Sequence, residues 1–523
     1  MNSGGGALAS SGRLGLSITL GLGMVAAVVV TFLLVLSSDA EEVNLTSARL
    51  VPGDAGLFVG LNSDLDGSQW VNAFSLVERL GQDEPEAELK RTLLEDEDIN
   101  WEGDIAPFLG GDAAFFLRSF DPATSEFSGG VVFSTNDPGA ALEVLVRESD
   151  FTFVDGEHSG LAYQLSIEDG SAAGVLGDHL VVALDEDTMR DVIDVFLGES
   201  KSLADVDEFE TLRDQLARNF LSFVYLNGQI LLESSLDDET LQALKEVGID
   251  STLEPIAAVV GATGKGFTFQ AASIANQEDA SPLLAPRDSR YDEIVPAETA
   301  VFFSTFGIGG AYRDVIDSAG DDLDEAIRDA GYSSIDDLLN EAGAELGLNS
   351  LEDVLNLFEG ETAVAVWFPT GAQEDAQGLL LTEVRDVVAA REVIEALVPE
   401  SEPREVRDVN GIEVTIFAAD DGDAAAYAFD GGDLLFGTAD AVIRILEGGR
   451  SSLESSAVYR DTLGELPTGL GTFAYFDLGT LVRLSEGSLP PEISRAEEAL
   501  HGLIINAVQE QGTTGVSGIV TVE

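Results

Sequence analysis

Asn62-Ser63-Asp64-Leu65-Asp66-Gly67 is the stretch whose residue types and spacing come nearest to a chemical site. Oxygen-bearing side chains at its first, third and fifth positions, with glycine at the sixth, match the first half of a calcium loop. Asn62, Asp64 and Asp66 are therefore the metal candidates, and calcium is the one cofactor to test. The second half does not follow. Such a loop grips its ion with a two-oxygen carboxylate at position twelve, which here is Ala73. The competing reading makes Asp64, Asp66 and Ser68 the end of a strand and the cap of a helix carrying Trp70, Phe74 and Val77.

Other chemistry is sparse. Gly261-Ala262-Thr263-Gly264-Lys265-Gly266 has the glycines and lysine of a phosphate loop. It lacks the spacing of one and leads into a strand, so a hairpin turn is expected. Asp321-Asp322-Leu323-Asp324 and Asp420-Asp421-Gly422-Asp423 read as solvated charge in so acidic a chain. The histidines are His158, His179 and His501; the first two sit in turn-like contexts. There is no cysteine, which removes thiolate metal sites and cysteine catalysis. No G-x-S-x-G elbow occurs. No catalytic residue can be named, and an enzyme is not the leading expectation.

The elements that would hold any site belong to a chain of 523 residues with 96 Asp+Glu against 26 Lys+Arg, a formal net charge of -70. Such a field repels nucleic acid and attracts cations and basic partner proteins. Hydrophobic residues make up 45%, enough for packed cores and too many for a disordered chain.

Leu14 to Leu36 is uncharged and free of proline. At about 1.5 Å per residue it is long enough as a helix to cross a hydrocarbon core of roughly 30 Å. Arg13 before it and Asp39, Glu41 and Glu42 after it place residues 1–13 in the cytoplasm as a disordered tail. A cleaved signal peptide is the alternative, with Ser38-Asp39-Ala40 as its cleavage site. The expected division is a transmembrane helix over 14–36, a stalk over 37–49, a first unit over 50–275, a linker over 276–292 and a second unit over 293–523.

The two units read as copies. Leu50-Val51-Pro52 before the strand-like Leu57–Leu61 matches Ile294-Val295-Pro296 before Ala300–Ser304. Gly111 with alternating Ala113, Phe115 and Leu117 matches Gly360 with Ala363, Ala365 and Trp367. Asp137-x-x-Ala140-Ala141-x-Glu143-Val144 matches Asp386-x-x-Ala389-Ala390-x-Glu392-Val393. Ser202-Leu203 matches Ser452-Leu453, and Phe223-x-Tyr225 matches Phe473-x-Tyr475. Within a copy, short apolar runs are separated by segments too short for parallel crossovers. Asp137-Pro138 is a helix start, and helices are expected near Asp187–Leu197 and Glu208–Ala217. The fold class is α+β: a transmembrane helix, then two tandem homologous repeats, each a mainly antiparallel sheet with helices packed on one face.

The opening Leu50-Val51-Pro52-Gly53-Asp54-Ala55, the strand after it, Asn62-x-Asp64-Leu65-Asp66, Gln69-Trp70, Trp101 and Leu109-Gly110 resemble the bacterial family called domain of unknown function 3352. The resemblance covers nearly all of the chain after the anchor. It implies a membrane-anchored, mostly extracytoplasmic protein, and it carries no catalytic residues to transfer. The leading expectation is a single-pass protein of the cell membrane whose body binds or scaffolds in the envelope. The alternatives are an extracytoplasmic hydrolase with a carboxylate site and a carrier of an apolar ligand.

Overall fold

The computed structural model describes residues 45–93, 111–121, 126–149, 151–235, 254–275, 281–329, 332–345, 348, 350–398, 404–418, 424–449, 451–466, 469–485, 499–510 and 512–523. Leu14–Leu36, Trp101, Leu109-Gly110 and Asp420–Asp423 lie outside them. Among the described residues no helix is long and apolar enough to cross a membrane. The chain is a mixture of helix and antiparallel sheet, and it divides into two units between Ala275 and Asn276.

The first unit has strands β1 (Leu57–Asn62), β2 (Asp112–Asp121), β3 (Glu126–Ser134), β4 (Phe153–His158), β5 (Leu161–Ser166), β6 (Ala172–Leu176), β7 (His179–Ala183), β8 (Ser222–Leu226), β9 (Ile256–Ala262) and β10 (Gly266–Ile274). Its helices are α1 (Ser68–Arg79), α2 (Pro85–Leu93), α3 (Pro138–Glu148), α4 (Glu186–Phe196), α5 (Asp207–Gln215) and α6 (Gly228–Ser235). Every strand pairing is antiparallel, in the order β10-β9-β8-β1-β2-β3-β7-β6-β5-β4. Gly261–Gly266 is a hairpin turn, with Thr263 N donating to Gly266 O at 2.8 Å.

The second unit has strands β11 (Thr299–Phe306), β12 (Glu361–Trp367), β13 (Gln377–Glu383), β14 (Arg404–Val409), β15 (Ile412–Ala418), β16 (Ala424–Asp430), β17 (Asp433–Thr438), β18 (Thr472–Asp477), β19 (Leu500–Glu510) and β20 (Thr513–Val522). Its helices are α7 (Ile308–Asp329), α8 (Ile335–Glu345), α9 (Glu352–Leu355), α10 (Val387–Leu397), α11 (Ala439–Glu447), α12 (Ala457–Leu463) and α13 (Leu478–Leu484). The antiparallel order is β19-β18-β11-β12-β13-β17-β16-β15-β14. β20 lies beside β19, where Gly502 N donates to Thr521 Oγ1 at 2.9 Å.

Local chemistry starts the matched helices. Asp137 caps α3 by accepting from Ala140 N, with Pro138 at the first helical position. Asp386 caps α10 by accepting from Val388 N and Ala389 N. Each carboxylate satisfies amide hydrogens that a helix start leaves without partners.

One face of each sheet builds the main core. In the first unit Phe58, Phe223 and Tyr225 close around Phe209 of α5, whose ring lies 5.7, 5.6 and 5.2 Å from theirs. In the second, Tyr459 of α12 meets Tyr475 edge-on at 5.0 Å, beside the Phe302–Phe473 pair at 5.6 Å. Helices on one face only were expected, and the structure corrects this. Val393 and Ile394 of α10 pack with Tyr427 and Leu434, whereas Val442 of α11 packs with Ala428 and Leu435. Adjacent strand residues point to opposite faces, so this wing is covered on both. The reason is composition: β16 and β17 place apolar side chains at successive positions.

Two boundaries also move. Residues 45–49 were assigned to a stalk, but Thr46–Arg49 is a turn of 3-10 helix with Ser47 and Ala48 buried. Residues 281–292 were assigned to a linker, but Tyr291 is fully buried and joins the second core. Both segments lead into a first strand, and both are sewn to the same later place. Leu203 N donates to Val51 O at 2.8 Å, and Leu453 N donates to Val295 O at 2.9 Å. Gly53 N reaches Lys201 O and Ala297 N reaches Ser451 O, each at 3.0 Å. The matched Val-Pro and Ser-Leu motifs are thus contact partners within each unit.

Candidate functional site

Two of the calcium candidates, Asn62 and Asp64, are turned toward their own backbone. Asn62 Oδ1 accepts from Asp64 N at 3.0 Å, and Asp64 Oδ1 from Asp66 N at 3.3 Å. Asn62 O accepts from the Trp70 indole at 2.8 Å. The capping reading is corrected as well: α1 begins after Gly67 with no side-chain cap, and Ser68 Oγ is buried without a partner. Among the described residues no group of three or more carboxylate, histidine or cysteine side chains is placed to hold a metal.

The charge supplies a test that separates screening from a site. Raising NaCl from about 0.01 to about 0.1 M shortens the Debye length from roughly 30 to roughly 10 Å. With a net charge of -70, self-repulsion in the folded body weakens. The Tm of a chain beginning at Glu41 should therefore rise across that range. Calcium binding at Asn62, Asp64 and Asp66 would raise it further by mass action. Calcium doing no more than magnesium at equal ionic strength would reject that site, and a flat or falling Tm would reject the repulsion.

The histidines are placed apart. His158 ends β4, a strand rather than a turn, and its Nε2 lies 2.7 Å from Asp194 Oδ1 on α4. In the second unit the matching turn residue Asn410 reaches Leu446 O at 2.9 Å, so the hairpin is tied to its helix without an imidazole. His501 Nε2 lies 3.1 Å from Glu523 Oε2.

His179 opens β7 and reaches a constellation the sequence reading missed. Asp112, 2% exposed at the head of β2, accepts from Ser47 N at 2.9 Å, Ser47 Oγ at 2.5 Å and Thr46 Oγ1 at 2.5 Å. His179 Nε2 sits 3.1 Å from Thr46 Oγ1. A hydroxyl between carboxylate and imidazole has the parts of an activated nucleophile, but its proton goes the wrong way. Thr46 gives its hydrogen to Asp112, so the imidazole must donate to the Thr46 oxygen. Burial pushes the His179 imidazole below its usual range, against the pull of Asp112 and Asp178.

The second unit repeats the device with different residues. Glu361, 2% exposed at the head of β12, accepts from Ser289 Oγ at 2.5 Å, Ser304 Oγ at 3.0 Å and Arg290 N at 3.2 Å. Both carboxylates hold the segment leading into the first strand, and every donor they use belongs to their own unit. The available signal was an acid at the head of each strand: Asp112 directly after the matched Gly111, and Glu361 directly after Gly360. Those glycines are themselves required by close approach. A Cβ at Gly111 would stand 2.7 Å from Ser134 Oγ, and one at Gly360 2.6 Å from Glu383 O.

Among the described residues, Asp292 is the one buried carboxylate with a strongly displaced titration. It is 7% exposed and accepts from Tyr459 Oη at 3.0 Å. Burial first, then Glu454 and Glu361 nearby, push it up to about 6, against the Tyr459 hydrogen bond. Ala48 and Phe209 occupy the corresponding places in the first unit.

Away from the wing that α10 covers, the second face of each sheet carries an apolar row at its centre. Across β8, β1, β2 and β3, Val224, Val59, Phe115 and Val131 stand in register. Across β18, β11, β12 and β13, Ala474, Phe303, Val364 and Leu380 do the same. Phe115 is 38%, Phe303 37% and Val364 39% exposed, and the others are half-buried. An antiparallel sheet with one solvated face ordinarily alternates apolar and polar residues; here the alternation is missing at the sheet centre.

Solved structures of TP0453 are similar only distantly. Crystal form III aligns at 10% identity over 43% of this chain and 78% of that one, with a TM-score of 0.24. Crystal form I aligns at 9% identity over 46% and 82%, with a TM-score of 0.25. Overlap at that level fixes neither fold nor function. No curated protein matches the sequence. A family profile does, over residues 15–520, nearly the whole chain; the protein belongs to the family described as protein of unknown function, DUF3352.

Proposed function

We propose that this chain is a single-pass, membrane-anchored body on the extracytoplasmic side, built from a duplicated unit, that binds an apolar partner and catalyses no reaction. The observation that carries the binding role is the open apolar row at the same register in both units. Large apolar side chains in the middle of a sheet face are disfavoured in water, and two units keep them at matching positions. The shared strand order and the paired carboxylate anchors support duplication. The uncharged run Leu14–Leu36 supports the anchor, with the acidic body repelled by nucleic acid and drawn to cations or basic partners. Among the described residues, the buried carboxylates Asp112 and Glu361 are occupied by their own chain's donors and lend the hydrolase reading no support.

Two measurements test this. The full chain should stay in the membrane fraction after a carbonate wash, and a chain beginning at Glu41 should be soluble. Native protein released with Glu41 as its first residue would overturn the anchor. The soluble chain should also bind Nile red, a neutral apolar probe, with a saturable rise in fluorescence. A linear, unsaturable response would overturn the binding role.

A further inference from the structure

The two open rows are not equivalent in what surrounds them. In the second unit the next row along the strands is polar: Thr305 and Thr472 share a hydrogen bond at 2.7 Å, and Thr362 and Thr382 one at 3.0 Å. In the first unit the same row carries Leu61, Ala113 and Phe133 beside one hydroxyl, Ser222, while on the other side of the rows both units are apolar, with Leu226, Leu57 and Leu117 in the first and Phe476, Val301 and Val366 in the second. The floor around Val59 is therefore more apolar than its counterpart on the side where the second unit carries threonines.

The backbone of that floor offers no hydrogen bonds. β1 is paired on both sides, with β2 and with β8, and so is β2, with β1 and β3. Their backbone groups are committed to the ladders, and an incoming strand cannot extend the sheet there. An extended peptide laid on the row would give up water from its amides and find no partner, a loss of about 1–3 kcal/mol for each buried group. An alkyl chain has no such groups to lose. A second copy of the body is opposed by charge, since each carries a formal -70.

Length and position agree with this. Adjacent strands lie about 4.8 Å apart, so the row from Val224 to Val131 runs about 14 Å. One leaflet of a hydrocarbon core is about 15 Å deep, half of roughly 30 Å. From Leu36 to Leu45 is nine residues (45 − 36), a reach of at most about 30 Å. Resting on the anchored reading above, the first unit is kept within about one bilayer thickness of a lipid surface. The acidic field selects against anionic headgroups and fatty-acid anions.

We infer that the Val224–Val59–Phe115–Val131 row of the first unit is a docking site for a single acyl chain of a zwitterionic phospholipid. The test uses the full chain reconstituted in phosphatidylcholine vesicles containing a little phosphatidylcholine with a diazirine at the end of one acyl chain. After irradiation and digestion, adducts should map to Leu14–Leu36 and also to β1, β2, β3 or β8. The combined substitutions V59T, V131T and V224T keep shape and strand preference but place hydroxyls on the floor. They should lower the adducts on the body by about tenfold or more, because buried hydroxyls without partners oppose apolar contact, and leave the anchor adducts unchanged. Carrying the diazirine on phosphatidylglycerol should also lower the body adducts. Adducts in Leu14–Leu36 alone, spread over the outer surface, or undiminished by the three substitutions would each overturn the site while leaving the anchor intact. Absence of adducts in Leu14–Leu36 would overturn the anchored reading itself. Should the substituted chain lose its circular-dichroism melt, the adduct map of the natural chain decides alone.

Discussion

An Asp112→Ala chain is expected to unfold with about 3 kcal/mol less free energy than the parent, or a larger deficit still. Asp112 is buried and takes donors from Ser47 N, Ser47 Oγ and Thr46 Oγ1. Removing the carboxylate strands at least the Ser47 amide, and each buried donor left without a partner costs about 1–3 kcal/mol. The lead-in segment would also lose its tie to β2, which brings together residues 65 apart in sequence. Glu361→Ala should do the same to the second unit, where Ser289 Oγ and Arg290 N lose their acceptor. Urea unfolding followed by circular dichroism measures both. A loss below about 1 kcal/mol for either would show that water or a neighbour replaces the carboxylate and that the anchor is not structural.

Asp292 predicts an effect of similar size that depends on pH. Its folded titration is raised from 3.8 to about 6. Below the unfolded value both states hold the proton, and Asp292 adds no pH dependence. Between the two values the unfolded chain ionises while the folded one keeps its proton, so stability falls as pH rises. Above about 6 the loss is complete, about 3 kcal/mol for a shift of roughly two units. Asn at this position can still accept from Tyr459 and carries no charge. Asp292→Asn should therefore match the parent near pH 4 and exceed it by about 3 kcal/mol near pH 7.5. Comparing the two chains at each pH cancels the titration of the other acids. Parallel stability curves would sink the idea that Asp292 is forced to ionise in an unwelcoming place.

Much of the sheet was legible because its strands are short, apolar and separated by Gly and Asp turns. The runs at Ala172–Leu176 and Ile256–Ala262 sit within a residue of where the pattern places them. β4 was not legible. Its Asp155, Gly156 and Glu157 are poor strand formers, held there by pairing with β5. Nor was α7, a helix that runs through Asp321, Asp322 and Asp324, which the sequence marks only as solvated charge. Helices on the second face escaped because Leu434 and Leu435 look alike in sequence, and only the strand's alternation assigns them to different cores. The carboxylate anchors escaped for a different reason. Asp112 and Ser47 meet through the folded sheet alone, and one acid among 96 carries no mark of burial. The open row was half visible: Leu57, Phe58 and Val59 in succession imply apolar side chains on both faces of β1.

The order of strands also sets when each unit can exist during synthesis. β1 lies between β2 and β8, and β11 between β12 and β18. The wing strands β3 to β7 are all made before residue 184, in a continuous stretch of chain. The seam through the middle of the first sheet has to wait for Ser222–Leu226, some 160 residues after Leu57–Asn62, and the second seam waits as long for Thr472–Asp477. Closing so long a loop is slow and leaves strand edges bare meanwhile. A ribosome stalled, or a protease acting, before Leu226 would therefore leave a finished wing attached to a central strand with one side unpaired. The first strand made is among the last to be enclosed.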